Sequence, residues 1–330
     1  MKFIFLTDSH ITDKMNSRTD NYTETILAKW DAIRTYARKN NINTIIHGGD
    51  IFDRSIVPRS LEQRVFKFYA DFSYSFPHIA QYIIAGQHDY SQGSTTLEGK
   101  SAWYLFNLQY NTFDVRIDAT GLAEINDNGE SITMCTPYAD INSVATDVAI
   151  VHQMLNDGAL PFEHIDINTL DITPRICLSG DYHSGFPVKK VNNTYFGNPG
   201  ALSRTFRSKD DLSREPQFAV IDTDLLPACP ITYIPISHVY ADYKPASEVC
   251  VKFTEPALLD ITAKERRNKL QESVSSAVDQ AKLYRISNWE DRLKAVEDDA
   301  ELLAILSADG LDVQAGCARL RELCEEREMD

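Results

Sequence analysis

The 330-residue sequence predicts a layered α/β protein, a β-sandwich flanked by helices with a helical C-terminal extension. Short apolar, β-branched segments recur over residues 1–240, and such continuous apolar runs are typical of strands buried on both faces. Segments with apolar residues at helical spacing lie between some of these runs. After Pro245 the pattern becomes mostly helical, with few chain breakers. We therefore predict a first domain at 1–240 and a mostly helical docking or capping segment at 241–330.

The predicted strands fall into two groups, and the first strand begins near the N-terminus. Those of the first group end in polar side chains, and they are segments 2–8, 43–50, 81–89, 148–152 and 175–183. Those of the second group are segments 131–136, 194–197, 217–223, 231–236 and 248–253. Together they predict a mixed, sandwich-like sheet system.

Helices are predicted at 22–39 and 58–74, where apolar residues recur every three or four positions. In the second of these, Pro58 stands at a favourable first-turn position. A third, aromatic-rich helix is predicted at 97–108, and residues 257–328 are predicted to form further helices. The helices between the early strands support the α/β class.

The composition is that of a folded globular protein and not of a disordered chain, since 43% of the residues are hydrophobic and 25% are charged. Lys and Arg number 33 against 48 Asp and Glu, which gives a formal charge of −15. This acidic balance does not predict tight, unaided binding to a nucleic-acid backbone.

The six cysteines are scattered without a C-x-x-C pair, which predicts free thiols in a reducing compartment. No apolar run approaches the roughly 18 residues of a membrane span. The N-terminal MKFIFLTD has too short an apolar stretch for a signal peptide. We therefore expect no membrane association and a location in the cytoplasm.

The first group of strands ends in side-chain types that bind metal ions. In chain order these residues are Asp8, His10, Asp50, Asp53, Gln87, His88, Asp89, His152, Asp181 and His183. Loops at the carboxyl ends of strands in an open α/β sheet converge on one rim, and the glycines that precede several of these residues allow close approach there. This set of oxygen and imidazole donors suits two divalent ions. Two ions about 3.5–4 Å apart can clamp a phosphate ester and activate a water molecule.

The ordered set resembles the calcineurin-like metallophosphoesterases and, within them, the SbcD-type nuclease subunits of DNA double-strand-break repair complexes, including phage versions. That family carries D-x-H, G-D-x-x-D, G-N-H-D, a single His and G-H-x-H in this order. The matching segments here are Asp8-Ser-His10, Gly49-Asp50-Ile-Phe-Asp53, Gly86-Gln87-His88-Asp89, His152 and Gly180-Asp181-Tyr-His183. The resemblance extends over residues 1–205, and the nuclease branch is favoured by the G-G-D-I-F-D and V-H-Q contexts.

The resemblance implies a role for each metal-binding residue. The first metal would be held by Asp8, His10 and His183. The second metal would be held by Gln87, His152 and Asp181, and Asp50 would bridge both. His88 would face the scissile phosphate and donate a proton to the leaving oxygen, with Asp89 orienting its ring. A carboxylate beside an imidazole fixes the tautomer and raises the basicity of the ring.

Two residues depart from the family pattern, and both belong to the second metal. Gln87 stands where the family has Asn, and Asp181 stands where it has His. Replacing a neutral nitrogen donor with an anionic oxygen makes the site harder and more negative, which favours manganese, or magnesium, over zinc.

The sequence also suggests substrate contacts and partners. Arg18, Arg54 and Arg204 are candidates for contacts with substrate phosphates. By resemblance, the helices at 58–74 and 97–108 would pair two subunits as a homodimer. The helices of 257–328 would dock on an SbcC-type ATPase, and helix-in-groove docking is physically reasonable for such a segment.

Three functions remain open from the sequence. The first is a two-metal phosphodiesterase that acts on DNA, as the exo- or endonuclease subunit of an SbcCD-like repair or recombination complex. The second is the same metal centre acting on a small nucleotide or phosphoester, which the acidic composition favours. The third is a catalytically weak scaffold subunit of an ATPase complex, suggested by the departures at Gln87 and Asp181.

Overall fold

The computed structural model describes residues 1–90, 96–103, 105, 122–127, 130–158, 160, 163–204 and 213–250, all of which lie in one compact unit, Met1–Lys252. These residues form a mixed α/β structure, which confirms the predicted fold class. Beyond position 250 the region 241–330 lies outside the described residues. The helix predicted at 97–108 is wrong at its start, because residues 98–102 form turns and bends, and its positions 104 and 106–108 lie outside the described residues. The domain boundary near residue 240 stays a prediction.

The elements are numbered in chain order. The strands are β1 (Lys2–Leu6), β2 (Thr44–His47), β3 (Ala80–Ile83), β4 (Leu122–Asp127), β5 (Glu130–Cys135), β6 (Val148–Val151), β7 (Leu155–Asn156), β8 (Ile165–Asp166), β9 (Ile176–Ser179), β10 (Phe186–Val191), β11 (Thr194–Asn198), β12 (Gln217–Asp222) and β13 (Ile231–Pro235). The α-helices are α1 (Tyr22–Lys39), α2 (Arg59–Ser75) and α3 (Ala246–Val249), and short 3-10 helices lie at Ile141–Ser143, Ile167–Thr169, Thr223–Leu225 and Ile236–His238.

Two large sheets dominate the architecture. The first has the order β13-β12-β1-β2-β3, and the second has the order β10-β11-β9-β6-β5-β4, while β7 and β8 pair separately. In the first sheet β1, β2 and β3 are parallel, and in the second sheet β5, β6, β9 and β11 are parallel. Each sheet therefore gathers the carboxyl ends of its central strands at one edge.

Apolar side chains between the sheets form the central core. Phe5 and Ile46 from the first sheet belong to one cluster with Ile150 and Leu178 from the second, and all four are fully buried. Ala149, which points to the opposite face from Ile150, joins a separate cluster on the outer side of the second sheet. Both sheets are therefore covered on two faces, in agreement with their continuous apolar runs.

Helix α1 covers the outer face of the first sheet and matches its predicted bounds. The side chain of Asn21 caps its start by accepting a hydrogen bond from the backbone N–H of Glu24 at 3.4 Å. Trp30 and Ile33 lie on its buried face and cluster with Ile4 of β1. Among the described residues, no helix has the length and apolar character needed to cross a membrane.

The structure differs from the predicted elements mainly at the sheet edges. Strands β4 and β10 were not predicted, and they are the two edges of the second sheet. Edge strands carry polar residues and proline, as in the LAEIND of β4 and the FPVKKV of β10, so they lack a continuous apolar run. The strand predicted at 248–253 is wrong at its start, because Ala246–Val249 forms a helical turn.

Candidate metal centre

Loops from both sheets bring the predicted metal ligands to one rim. The first sheet contributes the loops that follow β1, β2 and β3, and the second contributes those that follow β6 and β9. Carboxylate and imidazole atoms on these loops form three groups, in each of which the ligand atoms lie within 4.8 Å of one another. These groups are Asp8–His10–His183, Asp8–Asp50–His152 and His10–Asp50–His88.

Four predicted ligands have a left-handed backbone, with φ values of 54° at Asp8, 44° at His10, 55° at Asp50 and 72° at Asp181. This conformation is uncommon for residues other than glycine, and such strain concentrates at functional sites. Hydrogen bonds between loops support it: the N–H of Asp8 donates to the carbonyl of Gly49 at 3.1 Å, and the N–H of His10 donates to the carbonyl of Asp50 at 3.0 Å. The strands therefore end before the ligands, in sharp turns that aim the side chains at the rim.

Asp8, His10 and His183 form the group that the resemblance assigns to the first metal. The Nε2 atoms of the two histidines lie 2.9 Å apart. The Oδ1 atom of Asp8 lies 3.7 Å from Nε2 of His10 and 3.6 Å from Nε2 of His183. Two imidazole nitrogens and one carboxylate oxygen converge on a small volume, which is a suitable donor set for a divalent transition metal.

His152 shows the clearest fit to a metal ligand. Its Nδ1 lies 2.5 Å from the carbonyl of Gly48, and because a carbonyl only accepts, Nδ1 carries the proton. In the neutral ring Nε2 is therefore left with its lone pair, 3.3 Å from Oδ2 of Asp50 and 3.9 Å from Oδ1 of Asp8. This buried nitrogen has no hydrogen-bond partner within the part of the chain that the structure describes. A cation between the lone pair and the two carboxylates would satisfy all three groups.

Asp50 lies where a bridging ligand is needed. Its Oδ2 is 3.7 Å from Nε2 of His10 in the first group and 3.3 Å from Nε2 of His152 in the second. Its other oxygen, Oδ1, accepts a hydrogen bond from the backbone N–H of His88 at 2.9 Å. The carboxylate is therefore fixed between the two groups.

The two residues that depart from the family pattern contact each other. The amide nitrogen of Gln87 donates a hydrogen bond to Oδ1 of Asp181. The amide oxygen of Gln87 is then the atom left to meet a cation. The backbone N–H of Asp181 donates to the carboxylate of Asp8, at 3.2 Å from Oδ2, so this loop is tied to the first group as well.

His88 is the exposed member of the centre, with 46% of its side chain accessible. Its Nδ1 lies 2.8 Å from the backbone carbonyl of Asp53, so Nδ1 carries the proton and donates it. Its Nε2 is directed inward, 4.0 Å from Oδ2 of Asp50. The ring is therefore held in a defined orientation at the open side of the rim.

The prediction that Asp89 orients His88 is wrong. The Asp89 carboxylate is fully buried and accepts hydrogen bonds from the backbone N–H groups of Ile51 at 3.3 Å, Phe52 at 3.2 Å and Gly86 at 3.0 Å. In the turn that follows β3, the Asp89 side chain therefore lies inside the protein while the His88 side chain faces solvent. Asp89 joins the second and third loops, and the carbonyl of Asp53 takes the orienting role.

Charge within the centre is shared between carboxylates and histidines. Burial opposes the ionisation of Asp8, but the hydrogen bond and charge of His10 and the charges of His152 and His183 lower its pKa below the usual value. Burial likewise opposes protonation of His152, but Asp50 and Asp8 raise its pKa. The buried carboxylates therefore favour positive charge beside them, which a divalent cation supplies directly.

The glycines of the motifs allow each loop to pack against a predicted metal ligand of another loop. A Cβ atom on Gly86 would lie 2.0 Å from Oδ1 of Asp50, and one on Gly49 would lie 2.3 Å from Nδ1 of His152. Any larger residue would displace a ligand. The close approach that the glycines were expected to allow is therefore the approach of one loop to another.

Several positioning residues were not predicted. Asp53 belongs to the G-D-x-x-D motif, and besides holding His88 it places Oδ1 3.8 Å from Nδ1 of His10. Asn198 is buried and donates from Nδ2 to the carbonyl of Tyr182 at 3.1 Å, which anchors the loop after β9. The motif was a signal for Asp53, whereas Asn198 is the last residue of β11 and belongs to no metal-ligand pattern.

The three candidate arginines do not form one group. Arg54 is exposed and follows Asp53 on the loop beside His88. Arg18 and Arg204 are buried and line a different pocket, with Lys29. Arg54 therefore directly follows the residue whose carbonyl holds the ring of His88.

A sequence model of the calcineurin-like phosphoesterases matches residues 1–183, which is more than half of the chain and includes every predicted metal ligand. The chain belongs to the calcineurin-like phosphoesterase family. It is therefore a metal-dependent phosphoester hydrolase by family, and the donor groups at the rim fit divalent ions.

Solved structures similar to this phosphoesterase include an archaeal phosphodiesterase, with 14% identity and a TM-score of 0.38 over 71% of this chain and 99% of that one. YfcE, a phosphoesterase from E. coli, has 13% identity and a TM-score of 0.34 over 72% and 100% of the two chains. Vps29 from Entamoeba histolytica, complexed with zinc, has 12% identity and a TM-score of 0.33 over 72% and 99%. Likenesses this distant carry no argument about activity. A comparison with curated proteins gave no match.

Proposed function

We propose that this protein is a two-metal phosphodiesterase that cleaves DNA, as the nuclease subunit of an SbcCD-like complex. The observation that carries the proposal is the position of His88, an oriented and accessible imidazole at the open side of a buried carboxylate–histidine centre. That arrangement supports cleavage of a phosphate ester with a proton donor for the leaving oxygen. The choice of DNA rests on the nuclease-like sequence contexts at 48–53 and 151–153.

Each residue of the centre would bind a metal ion or donate a proton. Asp8, His10 and His183 would hold one ion, Gln87, His152 and Asp181 would hold the other, and Asp50 would bridge them. When bound, two such ions polarise a phosphate ester and lower the pKa of a water molecule. The carbonyl of Asp53 holds one proton of His88 on Nδ1. The acid would therefore be the imidazolium form, which carries a second proton on Nε2, gives that proton to the departing oxygen and becomes the neutral ring.

Manganese is the proposed metal, with magnesium as the other candidate. Gln87 keeps the amide oxygen donor of the family's Asn, and Asp181 offers a carboxylate oxygen where the family has an imidazole nitrogen. Oxygen donors favour these harder cations over zinc.

The proposed partners follow from charge and exposed surface. At a formal charge of −15 the chain would be repelled by a DNA backbone, so we infer that an SbcC-type ATPase supplies much of the DNA affinity. Two aromatic side chains on α2 are exposed, Phe66 at 36% and Tyr74 at 90%. They support the proposed homodimer through this helix, since aromatic side chains are enriched in protein interfaces.

The test compares the full-length chain with two variants, on end-labelled duplex and single-stranded DNA and on bis(p-nitrophenyl) phosphate, with manganese present. His88→Ala should lower kcat by roughly 10²- to 10⁴-fold, the contribution typical of a general acid, with the metal content by elemental analysis unchanged. His78→Ala removes an exposed histidine outside the centre and should leave kcat unchanged.

The outcomes separate the three functions. Cleavage of DNA that is lost in His88→Ala supports the proposal. Hydrolysis of the small diester without cleavage of any DNA, even with the ATPase added, would replace it with a small-substrate phosphodiesterase, which the acidic composition favours. Inactivity on every substrate together with absence of bound metal would indicate a scaffold subunit.

A further inference from the structure

A pocket of about 300 Å³ lies outside the metal centre, between α1, the loop before it and the segment that leads to α3. Its lining is rich in charged groups, and none of them is a predicted metal ligand. The cations are Arg18, Lys29, Arg204 and Lys244, and the carboxylates are Asp20 and Asp242.

Two guanidinium groups in this pocket are buried with unused hydrogen-bond donors. The side chain of Arg18 has 0% exposure and bonds to Asp20 through Nε at 2.8 Å and Nη2 at 2.7 Å, but its Nη1 has no partner within the described part of the chain. Arg204 is 1% exposed and donates from Nη2 to the carbonyl of Lys244 at 2.8 Å, whereas its Nε and Nη1 find no acceptor among the described residues. Buried charged donors without an acceptor are unfavourable, so these nitrogens point to a missing acceptor.

Lys29 adds a third buried cation. It is 1% exposed, and its Nζ donates to the carbonyl of Leu202 at 2.8 Å. No carboxylate in the described ranges forms a salt bridge with it. Burial, and next the charges of Arg204 and Arg18, lower the pKa of Lys29 well below its usual value. The two guanidinium groups therefore disfavour a further positive charge beside them, and an anion would relieve that repulsion.

The carboxylates that line the pocket do not neutralise this charge. Asp20 is already engaged in its bidentate pair with Arg18, and Asp242 is exposed. Three buried cations thus face one paired carboxylate. A guanidinium offers its donors in a planar fork that matches the oxygens of phosphate, and two such groups beside each other are a frequent basis of phosphate recognition.

We propose that this pocket binds the oxyanion of a phosphate group through Arg18 Nη1 and through Nε and Nη1 of Arg204, separately from the metal centre. The ligand is either free inorganic phosphate or a phosphate of a nucleic-acid strand, and both present the same oxygens. The inference does not depend on the proposed nuclease activity, because it requires neither bound metal nor catalysis.

The pocket nevertheless shares one segment with the metal centre. The N–H groups of Leu202 and Ser203 donate to the carbonyls of Thr7 at 3.0 Å and Asp8 at 3.2 Å. Lys29 bonds to the same segment through the carbonyl of Leu202. A phosphate held by Arg204 would therefore lie directly behind the loop that carries the first metal ligands.

The test is calorimetric titration of the full-length chain with inorganic phosphate, with a chelator present so that phosphate cannot bind through a metal ion. Wild-type protein should bind one phosphate per chain. Arg204→Gln and Arg18→Gln should each weaken binding by about tenfold or more, since each removes charged hydrogen bonds. The matched control is Arg175→Gln, which removes the same charge from an exposed arginine paired with Asp147 at 2.9 Å.

Competition with a short single-stranded oligonucleotide identifies the source of the phosphate. Displacement of phosphate by the oligonucleotide indicates a strand-binding site, and binding of phosphate without displacement indicates a site for the free ion. Thermal melting of each variant checks folding, and Lys244→Gln, at an exposed position of the pocket, replaces any variant that does not fold. The proposal is overturned if metal-free wild type binds no phosphate, or if the pocket variants bind it as tightly as Arg175→Gln.

Discussion

At the scale of single residues, His88 and Asp89 are neighbours in the chain but contribute to different properties. His88 is accessible and held by one carbonyl, whereas the Asp89 carboxylate accepts three backbone N–H groups inside the protein. Burial, together with the charge of Asp50, raises the pKa of Asp89, and those hydrogen bonds oppose the rise. Asp89 therefore fixes the loops that carry the ligands.

Asp89→Asn should destabilise the fold more than it affects chemistry. An amide offers one acceptor oxygen and turns its NH₂ group toward backbone donors, so we expect the free energy of unfolding to fall by about 2–3 kcal/mol. Urea unfolding without added metal measures this. Asp71→Asn, at an exposed partner of Lys67 on α2, should change stability by less than about 1 kcal/mol. Unchanged stability with a large loss of kcat would instead restore Asp89 as the group that orients His88.

The sequence could predict the side chains of this centre better than their contacts. The motif order identified the residues of all three ligand groups, because carboxylates and imidazoles at strand ends have few other reasons to occur together. The partner of His88 could not be predicted in this way. It is the backbone carbonyl of Asp53, and every residue has a carbonyl, so no side-chain pattern reveals it.

At the scale of elements, the loop after β3 depends on its glycine. A methyl group on Gly86 would lie 2.0 Å from Oδ1 of Asp50 and would displace the bridging carboxylate. Gly86→Ala should therefore weaken metal binding by tenfold or more, or about 1.4 kcal/mol or more. Equilibrium dialysis against manganese checks this. Gly158→Ala, where the new methyl meets its nearest atom at 3.8 Å, is the matched control and should bind metal normally. Equal affinity of the two variants would contradict the packing described.

Buried helices and strands were predicted from the sequence more accurately than strands at the sheet edges. Helix α1 runs over its predicted range because its apolar spacing, cap and terminal charges agree. The strands that precede the ligands were predicted too long, since the apolar run continues into turns whose residues have left-handed backbone. Strands β4 and β10 were missed because an edge strand needs neither a continuous apolar run nor freedom from proline.

At the scale of the whole molecule, the reactivity of the cysteines indicates whether the β-sandwich is folded. Cys135 of β5 and Cys177 of β9 are buried free thiols, and Cys229 is exposed. Burial raises the pKa of Cys135 to about 12 and also raises that of Cys177. Because the thiolate is the reactive form, both should resist alkylation at pH 8 until the molecule unfolds.

Timed labelling with iodoacetamide, followed by peptide mass spectrometry, should therefore modify Cys229 before Cys135 and Cys177. Cys135 and Cys177 should react at the rate of global unfolding, which urea accelerates. Cys229→Ser should leave the slow labelling of the Cys135 and Cys177 peptides unchanged. Rapid modification of Cys177 in the native protein would mean that the second sheet opens without global unfolding.

The metal ligands come from loops of both sheets, with Asp8, His10 and Asp50 on the first and His152, Asp181 and His183 on the second. Each bound ion would therefore link the two sheets of the sandwich. Ions that bind only the folded form add their binding free energy to its stability. A cell that lacks the divalent metal would then lose more than the reaction, because part of its supply of this protein would unfold and become accessible to proteases.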